Sequence, residues 1–171
     1  LNNIHALVDI DTGKAKSTIV ELSKLMRYVL YEASNKTILL SREVQFLKNY
    51  IALMSLRYTN KVSIQMDFPV EVPEVQIPPL LFVSFVENAF KYGSSPDEDC
   101  TILIRIVVEK GTLLFETENT IMKKKKDESS SIGIENCRKR LQLLYPNRFS
   151  LITLENEEKR EFKTRLTIQL R

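Results

Sequence analysis

Between residues 14 and 33, apolar side chains fall at Ile19, Leu22, Leu25, Met26, Val29 and Leu30. Spacings near three and four predict a helix with a seam of the coiled-coil kind. Leu1, Ile4, Leu7 and Val8 share one side of an earlier helix, and residues 9–13 (Asp-Ile-Asp-Thr-Gly) read as the turn between the two. Two such helices cannot bury their seams alone, so the pattern predicts a helical hairpin that dimerises into a four-helix bundle. The alternative is that the seam packs on this chain's own sheet.

Residues 35–41 read as a linker, with Ser41 expected to cap a helix over 42–58. Its stripe is Val44, Leu47, Ile51, Met54 and Tyr58, and it should face a sheet. Val62, Ile64, Met66 and Phe68 alternate with polar residues and predict a strand, ended by Pro69. Residues 78–93 read as one helix. Pro78 and Pro79 suit a first turn, Leu81, Phe82, Phe85, Val86 and Ala89 make the apolar face, and Gly93 stands where a left-handed residue would stop it. Ile102, Ile104, Ile106 and Val108 alternate, Lys110-Gly111 turns the chain, and Leu113 and Phe115 carry a return strand to residue 117.

Residues 118–131 hold few apolar side chains and include Lys123-Lys124-Lys125-Lys126, which predicts a mobile loop. A helix over 135–145 buries Ile134, Cys137, Leu141 and Leu144 and stops at Pro146; strands at 149–154 and 162–170 follow. This order predicts an α+β fold. Its main part is a two-layer α/β sandwich, a mixed, mainly antiparallel sheet with three helices on one face, and a helical hairpin precedes it.

Composition narrows the function classes. A length of 171 residues suits one domain with a helical appendage. A net charge of +3, scattered along the chain, gives no footprint for nucleic acid. His5 is the only histidine, which excludes a histidine cluster within the chain. Cys100 and Cys137 lack metal-ligand spacing, which argues against zinc and for a reducing compartment. No run approaches a membrane span, and no signal-peptide pattern is read within these residues. The chain opens at Leu1 inside a helical pattern, so it is expected to be part of a longer protein with membrane segments upstream.

Candidate chemistry gathers at the end of the helix over 78–93. Glu87 and Lys91 are an i,i+4 pair, and Asn88 and Tyr92 are another one residue round. A carboxylate, an amide oxygen and an ammonium there suit a hydrated divalent metal and the phosphates it carries. The same letters also suit a solvated helical turn. Gly133, at an expected loop-to-helix junction, would let backbone N–H groups approach a phosphate.

In order, the pieces Leu22-Ser23-Lys24-Leu25-Met26-Arg27-Tyr28, Glu43 to Ile51, Arg57-Tyr58, Pro78-Pro79, Val86-Glu87-Asn88-Ala89 with Lys91, and Gly133-Ile134 with Asn136, Arg140 and Leu141 resemble the C-terminal kinase core of bacterial sensor histidine kinases, within their LytS-like subfamily. That family has the Bergerat-type ATP-binding fold shared with gyrase and MutL; a gyrase- or MutL-like ATPase is opposed here by the N-terminal helices.

The resemblance implies ATP and Mg²⁺ as cofactors. It implies that Asn88 reaches the metal on the phosphates, that Glu87 orients or deprotonates the attacking histidine, and that Lys91 and Tyr92 lie near the phosphates. Gly133, Ile134 and Asn136 would touch the triphosphate as a lid closes. Glu118 with Asn119 would stand where the family has an adenine-binding aspartate, and Thr164 would lie near adenine. The resemblance assigns 1–36 to dimerisation and histidine presentation and 37–171 to ATP binding. It also implies a homodimer, a response regulator of LytTR type as partner, and a cytoplasmic domain anchored through upstream segments. The acceptor histidine is expected just before Leu1, with His5 a bystander, so this piece should not phosphorylate itself. Glycines usual beside the phosphates are replaced by Ser131 and Lys163. That keeps a second reading open, a non-catalytic dimeric interaction module.

Overall fold

The computed structural model describes residues 8–58, 61–95, 98–122 and 129–170. The expected helix through residue 7, with His5, and the basic run Lys123–Lys126 lie outside them. Leu1–Thr59 with Glu74–Leu80 form one compact unit, and Asn60–Pro73 with Leu81–Arg171 form another.

In the first unit, α1 spans Thr12–Arg27. The expected turn over 9–13 shrinks to Asp11, because residues 8–10 are already helical. Asp11 is the N-cap, and its carboxylate accepts a hydrogen bond from the Lys14 N–H at 2.9 Å. One side chain thus satisfies an N–H that has no partner inside the helix. The helix then widens into a π-helical turn, Tyr28–Glu32, where the Ala33 N–H donates to the Tyr28 carbonyl at 3.0 Å. Of the seam, Leu25 is buried, and Ile19, Met26, Val29 and Leu30 are exposed.

Helix α2 runs Leu40–Ser55, two residues ahead of the expected start. Ser41 does not cap it. The Leu40 N–H donates instead to the Val75 carbonyl at 2.8 Å. That partner is available because β1 (Ile38–Leu39) pairs antiparallel with β3 (Gln76–Ile77), a two-residue ladder too short for alternation to announce. Val44, Leu47 and Ile51 are buried as their stripe predicts.

The second unit holds five strands in the order β2-β4-β5-β7-β6. They are β2 (Val62–Asp67), β4 (Cys100–Glu109), β5 (Thr112–Thr120), β6 (Phe149–Asn156) and β7 (Glu161–Gln169). β2 pairs parallel with β4, and every other pairing is antiparallel. A parallel pair needs a long crossover, and helix α3 (Val83–Gly93) lies within it. Lys110 (φ 47°) and Gly111 (φ 74°) both take positive φ, as a two-residue hairpin turn of the primed type requires. The mixed, mainly antiparallel sheet expected from the pattern is therefore present. Of the three expected covering helices, α3 and α4 (Ser129–Leu144) share the sheet's unit, and α2 belongs to the other.

Three of the boundaries that differ from expectation bear on the candidate residues. The proline pair does not begin α3: a residue before proline is driven out of the α region, so Ile77 stays in β3, the prolines precede the helix, and Phe82 is the N-cap. Helix α4 starts at Ser129 and not at residue 135. Strand β5 runs to Thr120, not to residue 117.

The centre of this unit is aromatic. Phe82 stacks on Phe115 with ring centroids 4.4 Å apart, and Phe85 packs against the same ring at 5.8 Å. These contacts fix which face of the sheet carries α3. Leu113, Phe115, Thr117 and Asn119 point to that face by the two-residue period of the strand. No helix among the described residues is long and apolar enough to cross a membrane.

Candidate nucleotide site

The candidate residues at the end of α3 divide by exposure. Glu87 and Lys91 are exposed, and Asn88 and Tyr92 are partly covered. The Lys91 ammonium lies 4.8 Å from the centroid of the Tyr92 ring, a cation–π distance. The amide nitrogen Nδ2 of Asn88 is buried and makes no hydrogen bond among the described residues. An orphaned buried donor costs about 1–3 kcal/mol, and a bound water, ion or ligand that accepts from it recovers that cost.

Helix α4 forms the wall opposite Asn88. A Cβ built on Gly133 would stand 3.7 Å from Asn88 Nδ2 and 3.8 Å from Oδ1. One turn away, the Cys137 thiol lies beside the Ser84 side chain. Burial raises that thiol above its ordinary range, against smaller opposing effects of Ser84 and Arg140. Ser84 and Asn88 are four apart in one direction, and Cys137 and Gly133 four apart in the other. The helices therefore run antiparallel with these pairs facing. Because α4 begins at Ser129, Gly133 is inside the helix and not at its junction. The N–H groups free for an anion belong to the first turn, and Gly133 supplies a surface without a side chain next to Asn88.

The sheet floor beneath α3 is polar toward its end. Thr117, Asn119 and Thr164 are buried, and Thr117 pairs directly with Thr164. Opposite residues of an antiparallel pair share a face, so all three lie on the helix side. Gly93 packs against Asn119 so closely that an added Cβ would sit 2.4 Å from the Asn119 Cβ. This close approach, and not the expected left-handed φ, explains the glycine: among the described residues Gly111 is the only glycine with positive φ.

Glu118 is one residue from Asn119 and therefore on the other face of the sheet. Its carboxylate pairs with the Lys163 ammonium at 2.6 Å, next to a like pair of Glu116 and Arg165 at 2.8 Å. The structure thus brings Asn88, Gly133, Asn119 and Thr164 to the helix side and leaves Glu118 outside it. Ile134 is partly covered and Asn136 exposed on α4. Thr117 was missed by motif reasoning; alternation from Phe115 points to it.

The donor set suits an oxygen-rich ligand. Among the described residues no group of three or more His, Cys, Asp or Glu gathers to hold a metal by itself. A divalent ion at Asn88 would depend on oxygens that its ligand brings, the usual arrangement for magnesium with phosphates.

Residues 1–62 match the family described as histidine kinase. Over part of its length the chain is similar to the LytS-type sensor histidine kinases. It is 38% identical over 93 residues to the sensor protein LytS of Staphylococcus haemolyticus, covering 54% of this chain and 16% of that protein. The chain thus spans about a sixth of the length of the LytS relatives it matches. The histidine kinase domain of the blue-light activated histidine kinase of Erythrobacter litoralis superposes with a TM-score of 0.55 at 13% identity, covering 96% of this chain and 85% of that one. The histidine kinase ThkA, solved with the response regulator TrrA, gives 0.52 at 12% identity, covering 90% of this chain and 48% of that chain. At such identities the likeness concerns the fold, which is that of histidine kinase catalytic domains.

Proposed function

We propose that this LytS-related chain is the kinase core of a bacterial two-component sensor, binding Mg·ATP at Asn88 and transferring the γ-phosphoryl group to a histidine. The observation that carries the reading is the buried Asn88 Nδ2, without a hydrogen-bond partner among the described residues, facing the Cβ-free surface of Gly133. Magnesium, when bound, supplies charge neutralisation on the phosphate oxygens. The chain's own residues hold and orient. Asn88 would contribute its amide oxygen to the metal–phosphate group and its Nδ2 as a donor. Lys91 would supply positive charge, with Tyr92 packed beneath its ammonium. Glu87, exposed one residue from Asn88, would orient the acceptor imidazole and take its proton. Gly133, Ile134 and Asn136 would bound the phosphates from α4. Asn119 and Thr164, on the buried side of the sheet, would bound the base.

The proposal gives residues 1–36 to dimerisation and histidine presentation and 37–171 to ATP binding. It takes a response regulator, of LytTR type, as the phosphoryl acceptor, as ThkA has TrrA for a partner. Membrane attachment belongs to segments outside this chain. The homodimer reading is supported by exposed Ile19, Met26, Val29 and Leu30 along α1 and its π-helical turn. Sedimentation equilibrium should therefore give twice the chain mass, and Leu30→Glu should return it to one. A parent that stays monomeric at high concentration contradicts the bundle.

Calorimetry with Mg·ATP tests the main reading: saturable heat with a Kd below about 1 mM is expected, and none at millimolar nucleotide would sink it. The second reading, a non-catalytic interaction module, has its own observation. The carboxylate expected to read adenine, Glu118, is paired with Lys163 on the wrong side of the sheet. That module predicts a dimer without nucleotide heat.

A further inference from the structure

Three costly features meet at one point of the first unit. Glu43 is fully buried on α2. Its Oε2 accepts the hydroxyl of Tyr28 and, at 3.0 Å, the backbone N–H of Leu80. Tyr28 opens the π-helical turn at the end of α1. Leu80 holds φ at 55°, a left-handed conformation that a branched side chain adopts at a cost. Each feature is unfavourable alone. A buried carboxylate loses its hydration, a cost on the order of what its partners return, and an apolar residue of like size is often as stable. A π-helical turn inserts one residue into the helical ladder and is found mainly at functional sites. Simple packing does not call for all three in one hydrogen-bonded group.

The positions in the chain give the group a direction. Tyr28 lies at the end of α1, the helix that the proposed function gives to dimerisation, and its ring stacks on Phe46 of α2 at 4.3 Å. Leu80 lies two residues before Phe82, the N-cap of α3, which carries Glu87 and Asn88. The Tyr28 hydroxyl also lies near the Leu80 N–H, and burial first, then the charge of Glu43, holds it far above the ordinary tyrosine range. It stays a protonated donor.

We propose that Tyr28, Glu43 and Leu80 form a latch tying the helical register of α1 to the turn that opens α3. Rewinding the π-helical turn to α-helix shifts Tyr28 by one residue about the axis and withdraws its hydroxyl from Glu43. Glu43 then holds the Leu80 turn with one donor fewer, and the strained turn is free to relax. Glu43 is in this sense a positioning residue for Asn88; that part of the inference rests on the proposed nucleotide site.

The test uses the 171-residue chain with Tyr28→Phe, Glu43→Leu and Glu43→Gln. Amide hydrogen exchange is followed over residues 78–86, and Mg·ATP affinity by calorimetry. Tyr28→Phe keeps the ring stack and removes only the hydroxyl. It and Glu43→Leu should speed exchange over 78–86 about tenfold, the weight of one hydrogen bond to a charged group, and weaken Mg·ATP several-fold. Glu43→Gln keeps an acceptor oxygen for both donors but loses the charge, so its exchange should fall between the parent and the Leu variant. Unchanged exchange in Tyr28→Phe, or a Gln variant as fast as the Leu variant, overturns the latch. Faster exchange with unchanged Mg·ATP affinity overturns its link to the site. If the parent binds no nucleotide, the proposed function fails, and the exchange results alone decide for or against the latch.

Discussion

Asn88→Ala should make the nucleotide-free chain more stable and remove the Mg²⁺ dependence of its nucleotide binding. The two effects have one cause. Asn88 Nδ2 is buried with no hydrogen-bond partner among the described residues, so the folded chain carries an uncompensated desolvation cost. Removing the amide relieves about 1–3 kcal/mol, and alanine adds a few tenths as a better helix former. Loss of packing around a small side chain offsets part of this. A net gain of about 1 kcal/mol raises the thermal midpoint of a chain this size by about 2–4 °C. In the liganded state the same change removes the metal-facing oxygen and a donor to charged oxygens. That loss is about 1.5–3 kcal/mol, roughly 10- to 150-fold in affinity. Scanning calorimetry without nucleotide and titration with and without Mg²⁺ read the two halves separately. A lower midpoint would show that the amide is satisfied in the free chain; an unchanged Mg²⁺ dependence would refute the role given to Asn88.

Gly93→Ala should destabilise the second unit although alanine favours helix. The new Cβ would meet the Asn119 Cβ at 2.4 Å and its Cγ and Nδ2 at 2.9 Å. The nearest atom is fixed by the backbone of β5, the middle strand, so no rotamer change moves it away. Helix end and strand must separate by more than half an ångström, which opens the packing behind Phe85 and Phe115. Overpacking of this kind costs about 1–3 kcal/mol, more than the roughly 1 kcal/mol that Gly-to-Ala contributes inside a helix. Because Asn119 borders the proposed base site, nucleotide affinity should fall as well. Urea denaturation of Gly93→Ala, Asn119→Gly and the double variant separates the terms. The double variant should cost less than the sum of the singles; strict additivity would mean that the close approach is not what requires glycine.

Much of the second unit was legible because its signals are local. Alternation of Ile102, Ile104 and Ile106 became β4, and the Lys110-Gly111 turn has the positive φ angles that its residue types suggest. The helix ending in Glu87, Asn88 and Lys91 is real. Its start was not legible, since a proline pair serves equally before a helix or inside its first turn, and only the pairing of Ile77 with Ile38 separates the cases. Gly93 was singled out for a reason that proved wrong. A left-handed stop and a close helix–strand contact leave the same letter in the sequence, and the difference lies in Asn119, twenty-six residues on.

The base end of the proposed site shows the same limit. The motif drew attention to Glu118, and the strand turns Asn119 inward, because β5 continues three residues past its expected end and keeps its two-residue period. Nothing near Glu43 announced a buried carboxylate; on α2 it reads as one more helix-forming polar residue. By itself the sequence determined the element types, the mixed order of helix and strand, and the group Glu87, Asn88 and Lys91, all set within a few residues by periodicity and turn chemistry. The tertiary structure decided which face of β5 packs toward α3, why Gly93 must lack a side chain, and that Glu43 meets Tyr28 and Leu80. Those depend on groups far apart in the chain, whose desolvation and close contact exist only once the chain has folded.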